Sequence, residues 1–428
     1  MAVSLASACG ARATGADDGA SAGDVDAESG LGDDADDGHD GDDGDDGDDG
    51  SCPPDGCLDA SHEEPDLGDG WLYVARGVGD GTFQPFERDP TESFAMQPIS
   101  LADGSMALVT WGADQLCLRR IEISSFPPPT CVGGDLFDGN IVAVEAMAAD
   151  DDAEDELLVA TGRDTYTPAP VWQLEVIGDG FDSPVQIGTW AASDHPGAAR
   201  ADFDGDGYDE VFLAGFDGDC ATGCSTESVY VDVQADPRVD PMSMYGYPVA
   251  GALDDDGIAD IWIGSQLFVG KANERPVDQL HFETGVQVTS FAEFGDLDGD
   301  GSVELYFADV VNEGLQVVPL PLDPASPAVL TAGSASGEFL KIGDIDGDQM
   351  DEVLSLETDA TLDLFVTQAG GAGLVSESIA TVCDDCQVAA AQPSGANVGL
   401  NLRNATALAD FDGDGNLDFA VLVRTPAD

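Results

Sequence analysis

Four stretches of this chain place carboxylates at alternate positions of a short, glycine-containing run and end on a further acid. Three are near-copies: Asp202-Phe-Asp-Gly-Asp-Gly-Tyr-Asp-Glu210, Asp296-Leu-Asp-Gly-Asp-Gly-Ser-Val-Glu304 and Asp410-Phe-Asp-Gly-Asp-Gly-Asn-Leu-Asp418. The fourth, Asp344-Ile-Asp-Gly-Asp-Gln-Met-Asp-Glu352, carries Gln349 in place of the second glycine. Alternate residues of a tight loop point inward together. Carboxylates at positions 1, 3, 5 and 9, with the backbone carbonyl of position 7, therefore supply the oxygen ligands that hard Ca²⁺ prefers. Glycines at positions 4 and 6 allow the positive φ of such a turn. The expected ligands are Asp202, Asp204, Asp206, Tyr208 and Glu210; Asp296, Asp298, Asp300, Ser302 and Glu304; Asp344, Asp346, Asp348, Met350 and Glu352; and Asp410, Asp412, Asp414, Asn416 and Asp418. A weaker fifth loop, Ala252-Leu-Asp-Asp-Asp-Gly-Ile-Ala-Asp260, lacks the first carboxylate and keeps Asp254, Asp256 and Asp260. About four calcium sites are expected. The alternative is a solvated acidic turn without an ion, and for the fifth loop the sequence does not decide. An EF-hand is excluded. It needs a bidentate Glu at position 12 and flanking helices, whereas position 12 here is Leu213, Phe307, Ser355 or Val421 within strand-like segments.

The elements that position these loops are strands. Each loop runs into a β-branched or aromatic stretch such as Glu210-Val-Phe-Leu-Ala or Glu304-Leu-Tyr-Phe-Ala. Taking position 5 as a ruler, Asp206, Asp256, Asp300, Asp348 and Asp414 are spaced by 50, 44, 48 and 66 residues. Similar steps backwards reach Ala148-Ala-Asp-Asp-Asp-Ala-Glu-Asp-Glu156 and Ile99-Ser-Leu-Ala-Asp-Gly-Ser-Met-Ala-Leu-Val, degenerate copies of the same hairpin. Seven units of about 40–50 residues with several strands each predict an all-β, seven-bladed β-propeller. The last unit stops after its second strand, at Ala420-Val-Leu-Val-Arg. The region beginning at Trp71-Leu-Tyr-Val-Ala-Arg, continued by Val78–Pro85, reads as a third and fourth strand without a loop before them. The N-terminal strands are thus expected to complete the last blade and close the ring, which removes free sheet edges.

The Asp-rich loops, with the Val78–Pro85 stretch echoed at Val176-Ile-Gly-Asp-Gly-Phe181, resemble the FG-GAP/VCBS-type propeller repeat, the family of the integrin α-subunit head. The resemblance covers residues 71–428. It implies that calcium loops join the first two strands of a blade on one face, and that partners often meet the opposite face. The Ile99, Ala148 and Ala252 units depart from the repeat's ligand pattern.

The start, Met1-Ala-Val-Ser-Leu-Ala-Ser-Ala-Cys9-Gly, resembles a bacterial lipobox in which Cys9 would be lipidated. Leu5 stands one residue earlier than usual and no charged, apolar leader precedes it, so the segment 1–9 reads as the remnant of a longer signal. An ordinary Cys in an unstructured tail is the alternative. Residues 10–70 are rich in Gly, Asp, Ala and Ser, with an Asp-Asp-Gly array from Asp33 to Asp49, and predict a disordered acidic linker. Such a segment would serve as a tether or a solubilising tail.

The other eight cysteines form four sequence-local pairs, Cys52/Cys57, Cys117/Cys131, Cys220/Cys224 and Cys383/Cys386, as expected for disulfides in an oxidising compartment. A redox-active Cys383-Asp-Asp-Cys386 and a Zn²⁺ shared between pairs are the competing readings. Together these features point to an extracytoplasmic protein, lipid-anchored at a bacterial cell surface or outer membrane. No stretch approaches the ~18–20 apolar residues of a spanning helix.

The formal net charge is −73. Residues 1–70 hold 22 acids and one base, so 64 acids and 12 bases lie beyond them. Repulsion excludes nucleic acid as a partner. No nucleophile elbow, His-Glu-x-x-His or phosphate loop is present. His195 and His281 adjoin strands, and the abundance of carboxylates deprives any one pair of meaning as a glycosidase signal. The five Trp fall mostly within strand patterns, where blade packing is the simpler account than a sugar platform. The expected function is a non-catalytic binding or adhesion module for an envelope protein or polysaccharide. The turns around Cys220–Cys224 and Cys383–Cys386 are candidate contacts. A propeller-scaffold lyase or hydrolase and a purely structural surface protein are the alternatives.

Overall fold

The computed structural model describes residues 67–426 apart from short internal segments, the longest being 282–291, 321–329 and 389–401. Among the described residues seven antiparallel sheets of four or more strands form the blades, with strands in chain order from first to fourth in the first six, and a small hairpin of Val176–Ile177 with Gly180–Phe181 lies within the second. Blades 1 to 6 span residues 95–133, 140–190, 194–242, 248–281, 292–333 and 338–384. Blade 7 joins the two ends of the chain. Thr406–Ala409 and Asp418–Pro426 are its first two strands, Leu67–Ala75 its third and Glu87–Pro90 its fourth. Gln387–Val388 extends the same sheet along Asp418–Pro426. The protein is a seven-bladed β-propeller closed by its N-terminal strands.

One expectation moves. The fourth strand of blade 7 is Glu87–Pro90 and not Val78–Pro85. Residues 78–85 form the connection, tightened by the Gly77–Phe83 bridge and by Asp80, whose Oδ1 accepts the Thr82 N–H at 3.1 Å. Such an Asx-type turn diverts the chain before a strand can begin.

The first strands of blades 6, 7, 1, 2, 3 and 4 touch in succession, as do those of blades 5 and 6, so they line the axis. The hydrophobic clusters lie between neighbouring blades. Leu72, Leu108, Leu422 and Met96 join blades 7 and 1; Phe203, Phe212, Tyr230 and Ile261 join blades 3 and 4; Trp262, Leu305 and Phe307 join blades 4 and 5. Central strands are covered on both faces, and every residue of Glu156–Gly162 is buried. This explains why apolar residues run continuously there instead of alternating.

Closure makes a prediction. Strand Leu67–Ala75 pairs with Asp418–Pro426 along most of its length. Deleting residues 67–90 uncovers that edge and the Leu422 cluster. The truncated chain should run as aggregates in size-exclusion chromatography where the full chain runs as one species. A monodisperse, cooperatively melting truncate would show that closure by these strands is dispensable.

Candidate metal centre

Each acidic loop joins the first and second strands of its blade in one register. The residue before position 1 pairs with position 9: Ala201 with Glu210, Gly295 with Glu304, Gly343 with Glu352 and Ala409 with Asp418. Met147–Glu156 and Gly251–Asp260 repeat it in blades 2 and 4. In blade 1 Ser100 pairs with Met106, and the shorter turn between them has no room for the ligand set.

Inside the loops the hydrogen bonds repeat almost atom for atom. Asp202 Oδ1 accepts the N–H groups of Gly205 (2.6 Å) and Asp206 (3.1 Å), and its Oδ2 accepts that of Gly207 (3.0 Å). Asp204 Oδ1 accepts from Asp206 at 3.0 Å, and Asp206 Oδ1 from Tyr208 at 2.9 Å. The same set recurs around Asp296, Asp298, Asp300 and Ser302; around Asp344, Asp346, Asp348 and Met350; and around Asp410, Asp412, Asp414 and Asn416. This wrapping needs a left-handed residue at position 6. Gly207 has φ 99°, and Gln349 adopts φ 74° in the one loop without that glycine.

The wrapping gathers carboxylates. One oxygen from each of Asp202, Asp204, Asp206 and Glu210 lies within 4.8 Å of the others. Asp296, Asp298 and Asp300 form such a group in blade 5, Asp344, Asp346 and Asp348 in blade 6, and Asp410, Asp412 and Asp418 in blade 7. Glu304, Glu352 and Asp414 stand outside these groups. In blade 4, Asp256 Oδ1 accepts the Ile258 N–H at 2.8 Å, while Asp254 lies outside the described residues.

Position 9 has a second task. Glu210, Glu352, Asp418 and, in the degenerate loops, Glu156 and Asp260 are all buried. Each accepts the backbone N–H of position 2: Phe203 at 2.7 Å, Ile345 at 2.9 Å, Phe411 at 3.0 Å, Ala149 at 2.8 Å and Leu253 at 3.2 Å. A carboxylate staples the hairpin base whether or not an ion is near. Where position 9 is the shorter Asp, a glycine in or just past the third strand closes in as a further donor: Gly77 N to Asp418 Oδ1 at 3.0 Å and Gly270 N to Asp260 Oδ1 at 2.9 Å. A Cβ on either glycine would collide with a backbone carbonyl, of Leu417 and Ala259 respectively. Position 9 of blade 5 is instead bonded by a side chain, Tyr306 Oη donating to Glu304 Oε2 at 3.1 Å.

Burial disturbs these acids. Desolvation pushes Glu210 up to about 8, Glu352 to about 7 and Asp418 to about 6, and the loop carboxylates beside them push further in the same direction. Asp204, Glu304 and Asp412 are raised for the same first reason. Clustered hard oxygens whose ionisation is made unfavourable by burial and by one another fit a hard divalent cation.

The position-8 aspartates escaped the sequence reading. Asp351 Oδ2 accepts the Asp296 N–H of the preceding blade at 2.7 Å, and the Asp351 N–H donates back to Asp296 O at 2.8 Å. Asp209 and Ala148 repeat the pair at 3.1 and 2.9 Å, and Asp155 and Ser100 at 2.7 and 3.1 Å. In blade 4 Ala259 keeps only the backbone half, donating to Asp202 O at 3.1 Å. The available signal was the Asp-Glu doublet at 155–156, 209–210 and 351–352.

Two expected disulfides are formed. Cys117–Cys131 cross-links the third and fourth strands of blade 1 with Cα atoms 4.1 Å apart, and Cys383–Cys386 spans a turn with Cα atoms 6.0 Å apart. That turn sits where Thr361 pairs with Asp384, at the end of blade 6 away from its acidic loop. Cys9, Cys52, Cys57, Cys220 and Cys224 lie outside the described residues. Trp111, Trp190 and Trp262 are buried between blades, and Trp71 packs beneath the Arg88 guanidinium at 4.4 Å. These four serve packing.

No protein-family model and no curated protein matches the chain. Among solved structures it is similar to a candidate 6-phosphogluconolactonase from Bacteroides uniformis, at 12% identity and TM-score 0.37, over 74% of this chain and 98% of that one. A second such protein, from Bacteroides fragilis, aligns at 10% identity and TM-score 0.36, over 74% and 96%. TolB from Acinetobacter baumannii aligns at 13% identity and TM-score 0.30, over 74% of this chain but only 65% of TolB. Likeness at this level carries no argument about activity.

Proposed function

We propose that this propeller is a calcium-stabilised, non-catalytic binding or adhesion module, held at a bacterial surface by an N-terminal lipid on Cys9. The observation that supports it is repetition. Four blades carry the same wrapped loop in the same register, each gathering three or four carboxylate oxygens at one end of the blade. The residues named above would hold the ions through those oxygens, and the bound charge would offset the repulsion among them. The resemblance to FG-GAP/VCBS repeats, in which partners often meet the face opposite the calcium loops, makes the disulfide-stapled turn at Cys383–Cys386 a contact candidate. A stiff turn loses little entropy when it binds.

Retention of the full chain on envelope fractions and whole cells, in millimolar calcium and in chelator, tests this. Saturable retention that chelator removes is expected. Absence of retention by a folded, calcium-loaded protein would reject the adhesion reading and leave a propeller-scaffold enzyme or a structural calcium protein.

A further inference from the structure

Among the described residues, the inward carboxylates of three acidic loops form no ion pair with a Lys or Arg (Arg200 pairs at 3.6 Å with Asp209, the acid turned to the preceding blade), and those of the fourth do. Arg76, one residue past the N-terminal strand Leu67–Ala75, is 3% exposed and points into the blade 7 loop. Its Nε lies 3.5 Å from Asp412 Oδ2, an ionic contact without hydrogen-bond geometry, and that nitrogen has no other partner. The Asp412 side chain is 1% exposed, so water screens the pair poorly. The guanidinium is fixed from both sides. Nη1 pairs with Glu87 at 3.0 Å, Nη2 donates to Glu122 O at 2.8 Å, and the Phe126 ring centroid lies 6.0 Å from Cζ. The next residue also serves the loop, since Gly77 N–H bonds Asp418. Among the described residues, no Lys or Arg forms an ion pair with the equivalent Asp204, Asp298 or Asp346.

We infer that Arg76 is the resident counter-cation of the blade 7 loop. The N-terminal strand brings this charge when it docks, so the closing loop is held without a metal ion and takes one more weakly than the loops of blades 3, 5 and 6. A guanidinium that no protein environment deprotonates is a permanent occupant of that field. Like charge beside a cation site raises the cost of binding there, and the fixed partners of Arg76 prevent it from swinging away. The inference rests on the proposed calcium reading and assigns the loops unequal parts within it.

Calorimetric titration of the metal-free full chain with CaCl₂ tests both levels. The wild type should show three tight steps and one at least tenfold weaker. Asp410→Asn should remove only the weak step, and Asp202→Asn a tight one. Arg76→Gln should tighten the weak step by about tenfold, worth 1.4 kcal/mol, while Arg76→Lys should leave it weak. Loss of a tight step in Asp410→Asn, or an unchanged profile in folded Arg76→Gln, overturns the inference and leaves the calcium reading standing. The Asp410→Asn result stands even where Arg76→Gln fails to fold. A wild type that binds no calcium overturns the calcium reading itself.

Discussion

Stripping divalent cations from the full chain at about pH 8 should lower its melting temperature by about 10 °C or more, and acidifying the cation-free protein to about pH 5.5 should recover part of the loss. At a free calcium concentration a hundredfold above Kd, each occupied site adds about 2.7 kcal/mol to the folded state. Three such sites, at the few degrees or less per kcal/mol expected of a domain this large, give a shift of that size. The pH arm follows from the buried position-9 acids. Glu210 is raised to about 8, Glu352 to about 7 and Asp418 to about 6, chiefly by desolvation, from 4.5, 4.5 and 3.8. The folded, cation-free chain therefore binds more protons than the unfolded chain between those limits. Its stability is greatest below the unfolded values and falls as pH rises through each window, ending near 8 for Glu210. Calcium reverses the trend, because it binds the ionised carboxylates and its contribution grows as they lose protons. Scanning calorimetry at both pH values, with and without calcium, reads all four states. A melting temperature at about pH 8 that calcium does not move would end the metal reading; a cation-free protein more stable at about pH 8 than at 5.5 would end the titration argument.

Asp260→Ala should destabilise the propeller by about 3 kcal/mol whether or not calcium is present. Asp260 belongs to the loop that has lost its first ligand, yet it is fully buried and accepts N–H groups from both Leu253 and Gly270. Alanine leaves two buried donors unpaired, at about 1–3 kcal/mol each when no water reaches them. Glu156→Ala, which strands the Ala149 N–H, should act in the same direction. By contrast, Asp202→Asn should lower stability mainly in calcium, because its Oδ1 still accepts from Gly205 and Asp206 and only the bond from the exposed Gly207 N–H is lost. Urea unfolding of each variant in calcium and in chelator separates the cases. If Asp260→Ala costs nothing in chelator, position 9 is a ligand and not a staple.

The loops and the blade count were legible in the sequence because both are local or periodic. Alternating Asp and Gly declare a turn with inward oxygens, and the spacing from Asp206 to Asp348 declares blades. Ring closure was legible too, from a unit that ends after two strands and a start that has the other two. What escaped was non-local. Asp351 looks like a spacer beside Glu352 until Asp296, 55 residues away, is placed against it. Arg76 reads as the polar end of a strand, and its partner Asp412 lies at the far end of the chain. The fourth strand of blade 7 was set too early because Val78–Pro85 has strand-like residues, while Asp80 and the positive φ of Gly79 and Gly81 commit it to a turn. Position 9 was understood as a ligand alone, since a hydrogen bond to a main-chain N–H leaves no mark on residue type beyond the acid itself.

The position-8 aspartates also define which blades are clasped to their predecessors. They act as a grammar of adjacency: a blade ending its loop in Asp-Glu reaches back to its predecessor, and one carrying Val303 or Leu417 at that place has no side-chain acceptor to do so. New termini opened between blades 5 and 6 break no hydrogen bond and leave that seam held by its two-bond clasp, whereas among the described residues no such side-chain clasp spans the seams between blades 4 and 5 or between 6 and 7. The order of the blades is thus written into single residues at their joints.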